Sequence, residues 1–258
     1  MNSYLTEYEK YSPFNSGQRT HNIDRITPHC VVGQCTIEAL GEWFSTPKVE
    51  ASANYGIDKN GVVGMFVREN CRSWCSSNRD NDQRAITIEC ASDTYKPYAM
   101  NKSVWDSLVS LCVDICHRYK KTKLVWIADK NKAIIYEPKK DEMQLTVHRF
   151  FAATECPGDW LFKRLPELAE LVTKRLNHNG TTVKFPFMVK INNPREIYKT
   201  ETGMQICGRI EKGIYTIIDE KSDYLERPLG KLKSGAGWID LTNVEYFPRN
   251  DTNYYNGI

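Results

Sequence analysis

The hydrophobic pattern of this chain changes character once, near residue 177, and that change commits it to two differently built parts. Before it, short β-rich runs alternate with apolar stripes at helical spacing, the pattern of an α/β domain. Beyond it the helical period disappears. Residues 187–191, 213–218 and 237–241 are short β-rich runs punctuated by Gly and Asn, as a small all-β module requires. Asn177-His178-Asn179-Gly180-Thr181-Thr182 is short, polar and placed between the two patterns. The expected layout of the 258 residues is therefore a first domain over 1–177, a linker over 178–183 and a second domain over 184–258.

Within the first part, residues 1 to about 23 are polar and nothing in them forces regular structure. Residues 26–33 read as a strand interrupted by Pro28, which argues for a strand end or sheet edge and leaves His29 at an exposed tip. Thr36 can cap a helix running through Leu40 to Phe44. The runs 53–58 and 62–67 flank Lys59-Asn60-Gly61, where Asn-Gly suits the positive φ angles of a tight hairpin. Residues 84–90 form another strand, in which core-facing Ile86 and Ile88 leave Glu89 on the opposite face. Asn101 can cap a helix over 102–119 with Val104, Leu108, Leu111 and Ile115 in one stripe. Residues 124–128 read as a buried strand and 133–136 as a shorter one. A last helix is expected from Gly158 or Asp159, broken at Pro166 because an interior proline costs roughly 3 kcal/mol.

Charge excludes some partners. Thirty-five Lys and Arg against 32 Asp and Glu leave a formal +3, without the basic runs of a polyanion binder, so nucleic acid is not an expected ligand. No apolar stretch approaches 18 residues, and the first ten lack the basic start and apolar run of a leader. The expectation is a product made in the cytoplasm without stable membrane association. Nine cysteines are an odd number, so at least one is unpaired, and reduced thiols are expected. The C-x3-C pairs Cys71/Cys75 and Cys112/Cys116 read as packed thiols rather than a structural zinc site. Asp80 and Asp82 read as a solvated turn. There is neither a phosphate-binding glycine loop nor a G-x-S-x-G nucleophile turn.

Five histidines occur, and His148 precedes Cys156 by eight residues. His29, His148 and Cys156 offer two imidazoles and a thiolate, a donor set suited to a tetrahedral zinc with water in the fourth place. Spacing alone leaves unrelated polar or packed residues as the other reading. It equally leaves Glu89 as a solvated strand glutamate and Tyr55 as a half-buried packing residue.

The ordered set Ile26-Thr27-Pro28-His29, Ser52-Ala53-Asn54-Tyr55-Gly56-Ile57-Asp58, Ala85-Ile86-Thr87-Ile88-Glu89 and His148 through Cys156-Pro157-Gly158 resembles the type 2 N-acetylmuramoyl-L-alanine amidases, a family that includes phage lysins and peptidoglycan recognition proteins. The resemblance spans roughly residues 20–177. It implies a mixed central β-sheet flanked by helices around a zinc groove. It implies Zn2+ held by His29, His148 and Cys156, and hydrolysis of the amide between N-acetylmuramic acid and L-alanine in bacterial peptidoglycan. Glu89 stands at the family's acid/base position, and Tyr55 at an aromatic position whose hydroxyl meets the attacking water or the developing oxyanion. Thr154 falls where many relatives carry lysine and would offer one hydroxyl in place of a full charge. Asn54 stands where histidine is frequent, and no role is assigned to it.

Lys231-Leu232-Lys233-Ser234-Gly235-Ala236-Gly237-Trp238-Ile239-Asp240-Leu241 resembles the end of a bacterial SH3-like domain, which implies a small all-β SH3-like barrel that binds the cell wall. Pro194-Arg195-Glu196-Ile197-Tyr198 departs from that family's usual start. Tyr198, Tyr215 and Trp238 are candidates for a shallow ligand groove, with Trp238 equally a candidate for the core. Together these resemblances imply an endolysin that reaches the wall after another agent has opened the membrane. The alternatives are a non-catalytic peptidoglycan binder and a host autolysin of the same chemistry.

Overall fold

The computed structural model describes residues 2–178, 186–223, 227–242 and 244–246. They fall into two compact units, Met1–Gly180 and Thr181–Ile258. The expected linker 178–183 lies, apart from His178, outside the described residues.

The sheet of the first unit is mixed. In spatial order its seven strands are β1 (Thr6–Glu9), β5 (Val63–Met65), β4 (Tyr55–Ile57), β7 (Ala85–Cys90), β3 (Arg25–Cys30), β9 (Glu142–Leu145) and β8 (Lys123–Trp126). Only β4 and β5 run antiparallel to each other; the other neighbours are parallel. A separate ribbon pairs β2 (Asn15–Gln18) with β6 (Cys71–Ser73). The helices are α1 (Ile37–Ser45), α2 (Arg79–Arg84), α3 (Lys102–Arg118), α4 (Lys130–Ile135) and α5 (Gly158–His178). Tyr55, Ile57, Ile86 and Ile88 join the buried stripes of α3 and α5 in the main core. Ile37, Leu40 and Phe44 of α1 form a second cluster with Ala53 and Phe66. That approach is close enough to require glycine: a Cβ on Gly56 or Gly64 would stand 2.5 Å from Leu40 or Ile37.

The local chemistry of α3 is as expected, with Asn101 Oδ1 accepting from Val104 N–H at 3.0 Å. β4 and β5 pair in the expected register, Tyr55 opposite Met65 and Ile57 opposite Val63. Their loop is wider than a two-residue turn, and of Asn60 and Gly61 only Gly61 has positive φ. The Asp58 carboxylate closes it by accepting from Asn60 N–H and Val62 N–H, at 2.7 and 2.9 Å.

Several expectations are corrected. The first 23 residues contain β1 and β2, and Arg19 ties the segment down by donating to the Glu69 and Ala85 carbonyls and to the Asn54 amide oxygen. β3 is central, not an edge, and His29 is buried. Pro28 is tolerated there because pairing between β3 and β9 covers only Arg25 and Ile26. Val31 N–H donates to Cys90 on the β7 side, so by the two-residue alternation the missing donor of Pro28 faces the side where pairing has already ended. Residues 133–136 fall on and just after α4 rather than in a strand, and Asp80 and Asp82 lie on α2. α5 runs unbroken through Pro166. The lost bond to Phe162 costs about 3 kcal/mol, but Leu161, Leu165, Leu168, Val172 and Leu176 are all buried, each contributing about 1.5–3 kcal/mol.

All nine cysteines are free thiols, and Cys112 and Cys116 are buried against the main core. No helix among the described residues is long and apolar enough to cross a membrane.

Among its described residues the second unit forms a sheet of seven strands, all paired antiparallel: β12 (Ile206–Ile210), β11 (Arg195–Tyr198), β15 (Trp238–Asp240), β14 (Pro228–Leu232), β13 (Gly213–Ser222), β10 (Phe187–Ile191) and β16 (Glu245–Tyr246) in spatial order. Alternate residues Phe187, Val189 and Ile191 enter its core with Ile197, Ile217, Leu232 and Ile239. Trp238 is buried and packed beneath Lys231, whose Nζ lies 5.9 Å from the ring centroid.

Candidate metal and acid–base site

Parallel pairing of β3 with β7 sets His29 directly beside Glu89, after Thr27 beside Thr87. Partners in a ladder present their side chains on the same face, so the imidazole and carboxylate emerge together at the C-terminal ends of two central strands. His29 Nδ1 lies 3.9 Å from Glu89 Oε1. Beneath them Thr87 is held by Asn54 and Ser73.

His148 opens the 3-10 turn His148–Phe150 that follows β9. Phe150 anchors this turn by stacking on Trp126 with ring centroids 5.6 Å apart, and Phe162 of α5 packs edge-on against both. The His148 ring is thereby brought to 5.1 Å from that of His29, centroid to centroid. The chain then doubles back to Cys156. Arg149 holds the loop shut: its backbone N–H and its Nε both donate to the Cys156 carbonyl, at 3.2 and 3.3 Å. Its guanidinium also donates to the Glu155 carbonyl and pairs with Asp159. Cys156 Sγ ends 3.2 Å from His29 Nδ1.

The structure thus brings together His29, His148, Cys156 and Glu89. It does not bring Tyr55 to them. Tyr55 pairs with Ile88, whereas Gly56 pairs with Glu89, so Tyr55 points into the core. It is 0% exposed, and its hydroxyl donates to Glu69 Oε1 at 2.7 Å while accepting from Ser3 N–H. Thr154 is exposed on the loop, and its hydroxyl accepts from Cys156 N–H at 3.2 Å, shaping the turn that presents the thiol. Cys30 neighbours the site through a hydrogen bond with Cys156.

Four contributors escaped the sequence reading. Cys75 Sγ stands 3.8 Å from Glu89 Oε1. Ser77 Oγ lies 3.2 Å from His148 Nε2. Asp82, buried on α2, accepts from the Cys75 and Ser76 amides and from the Ser76 hydroxyl, which fixes this loop over the site. The sequence signals were a polar 73–82 segment, the Cys71/Cys75 spacing and the Asp80/Asp82 pair, none of which points to the site. Arg149, adjacent to His148, is the fourth.

Burial, then the neighbouring His148, lowers the His29 pKa to about 3. Burial also lowers that of His148. Both imidazoles are therefore neutral at pH 7, the form in which a ring nitrogen can ligate. Burial raises the Glu89 carboxyl to about 7, partly opposed by its hydrogen bond from Cys75. The hydrogen bond with Cys30, then burial, hold the Cys156 thiol well above its ordinary value, so it becomes a ligand only with a cation to offset its charge.

Donor atoms of His29, His148 and Cys156 lie within 4.8 Å of one another, a spread compatible with ligands about 2.0–2.3 Å from one ion. His29 Nε2 is buried with no hydrogen-bond partner. The donor set fits a divalent cation.

A family model described as N-acetylmuramoyl-L-alanine amidase matches residues 19–159, more than half of the chain. No curated protein sequence matches significantly. Among solved structures the chain is similar to the Staphylococcus aureus hydrolase AmiA in complex with its ligand, at 12% identity over 71% of this chain and 88% of that one, with a TM-score of 0.49. It is also similar to the endolysin LysCS from Clostridium intestinale URNW, at 17% identity over 63% and 95% with a TM-score of 0.41. A mutant endolysin from Bacillus subtilis aligns at 13% identity over 64% and 97% with a TM-score of 0.45.

Proposed function

The chain belongs to the N-acetylmuramoyl-L-alanine amidase family, and on that premise we propose that its first unit is a zinc-dependent hydrolase of the amide joining N-acetylmuramic acid to L-alanine in bacterial peptidoglycan. The observation that carries this reading is the convergence of His29, His148 and Cys156 donor atoms within 4.8 Å beside Glu89. These three residues would hold Zn2+. When bound, the ion supplies Lewis acidity that polarises the scissile carbonyl and makes water nucleophilic at neutral pH.

The remaining work falls to the chain's own groups. Burial keeps both imidazoles neutral, so they ligate rather than carry charge. Glu89 has one oxygen, Oε1, beside the Cys75 thiol, and the other, Oε2, without a partner. With a carboxyl poised near 7, Oε2 can accept a proton from the attacking water and return it to the departing nitrogen, which leaves as the free amine of L-alanine. Asp82 and Arg149 position the two loops, and Thr154 shapes the turn at Cys156. Tyr55 has no part in this scheme.

Residues 184–258 are read as an SH3-like wall-binding module, supported by the all-antiparallel sheet of the second unit. A second weak contact raises the local concentration of the first site on an insoluble polymer. The predicted consequence in a wall opened to the protein is lysis.

The test is product analysis of purified peptidoglycan treated with the full chain. New amino groups on alanine without new reducing sugar ends are expected. Sugar ends without amino groups would remove the amidase reading, and zinc-dependent muropeptide binding without cleavage would favour a recognition protein.

A further inference from the structure

His29 belongs to two donor sets. Donor atoms of His29, Cys75 and Glu89 lie within 4.8 Å of one another, just as those of His29, His148 and Cys156 do. Cys75 Sγ is 3.8 Å from Glu89 Oε1, which is 3.9 Å from His29 Nδ1. This grouping is built into the fold. Parallel register fixes His29 beside Glu89, and Asp82 fixes Cys75 by accepting from its backbone N–H at 3.2 Å. Both donor sets meet His29 on its Nδ1 side, 3.2 Å from Cys156 Sγ and 3.9 Å from Glu89 Oε1. Within the trio the Glu89 carboxylate also keeps its second oxygen, Oε2, shut off from solvent without a hydrogen-bond partner; buried polar atoms are nearly always satisfied, so one left open beside a thiol and an imidazole points to a ligand.

An imidazole, a thiolate and a carboxylate are the three protein donors that zinc prefers. We propose that His29, Cys75 and Glu89 form an alternative site for a thiophilic divalent cation, mutually exclusive with the first because both draw on His29. An ion held there turns Glu89 into a ligand and removes it from proton transfer. The site is therefore a self-inhibited resting place for the metal. Metal binding by this trio stands apart from any activity; its silencing effect rests on the amidase reading.

The sharing of His29 makes the proposal testable by deleting one set at a time. The full chain and its variants are titrated with cobalt(II), whose thiolate charge-transfer absorption reports a sulfur ligand. Cys156→Ala is expected to bind one cobalt and to retain thiolate absorption, now from Cys75. The double variant Cys156→Ala/Cys75→Ala is expected to lose it. In the Cys156→Ala background, Glu89→Gln should weaken cobalt binding by about tenfold or more, the lower end of what metal-site contacts contribute. A folded Cys156→Ala protein with no thiolate absorption overturns the proposal, as does absorption that survives in the double variant or cobalt affinity indifferent to Glu89. Cys156→Ser supplies the same readout if the alanine variant does not fold. If the trio binds cobalt as expected while the wild-type chain cleaves no peptidoglycan, the alternative site stands and the amidase reading falls.

Discussion

His29 and Glu89 are neighbours in the parallel ladder of β3 and β7, with Nδ1 and Oε1 3.9 Å apart. An imidazole and a carboxylate, the proposed metal ligand and the proposed proton-transfer group, are thus separated by one strand spacing, on two buried strands with little freedom to move. That rigidity is what a proton shuttle beside a metal needs, because a small displacement of either group lengthens the transfer path.

Glu89→Gln keeps the side-chain volume and removes the basic oxygen. Turnover on peptidoglycan is expected to fall about 10²-fold or more, with zinc content and folding near those of the wild type. Atomic absorption and single-turnover kinetics on the same preparation check this; full activity in the zinc-loaded variant would take Glu89 out of the reaction.

Tyr55→Phe separates the core role of this residue from a role at the site. Its hydroxyl donates to buried Glu69 and accepts from Ser3 N–H, so its loss should cost about 1.5–3 kcal/mol, the range for hydrogen bonds to charged groups. Urea unfolding should show that loss while kcat of the folded enzyme stays unchanged. A drop in kcat at constant stability would return Tyr55 to the site.

Arg118→Met tests the ion network behind that tyrosine. Arg118 donates to both Glu69 oxygens at 2.6 Å and pairs with Asp114, and all three side chains are less than 5% exposed. Removing the cation strands two buried carboxylates, a change expected to cost about 3–5 kcal/mol. Thermal unfolding should begin well below the wild-type temperature, and an unchanged midpoint would mean that the network is dispensable.

Arg149→Ala releases the loop that carries Cys156. The guanidinium bonds to the Cys156 and Glu155 carbonyls are lost, and zinc affinity should fall about 10–100-fold, as for other residues that orient ligands. A chelator competition titration measures it. Unaltered affinity would mean that the backbone bond from Arg149 to Cys156 suffices to close the loop.

Much of the fold was legible because it rests on local chemistry. The Asn101 cap and apolar stripe specify α3, and alternation in 85–90 places Ile86 and Ile88 inward and Glu89 on the other face. The run 133–136 was misread because four apolar residues fit a strand or a helical turn equally well. Of the seven strands described in the second unit, β10, β13 and β15 show in the sequence as runs in which apolar residues predominate; β11, β12 and β14 are broken up by charged residues or glycine, and β16 has only two residues.

The site divides in the same way. His29, His148, Cys156 and Glu89 were singled out through a resemblance carried by four separated motifs, and the structure places their side chains near one another. The direction of Tyr55 depends on pairing with Ile88, 33 residues away, rather than on its own strand, so its motif position alone does not bring its hydroxyl to the other four. The only local mark of Cys75 is its C-x3-C spacing with Cys71, which does not point to Glu89; it reaches Glu89 through a loop that Asp82 holds. By itself the sequence determined the division into an α/β part and an all-β part, the caps and stripes, and the types of donor available. Only the tertiary structure decided which donors meet. Periodicity acts over one or two turns of chain, whereas the register of parallel strands and the closure of loops join residues whose separation leaves no trace in either one's neighbours.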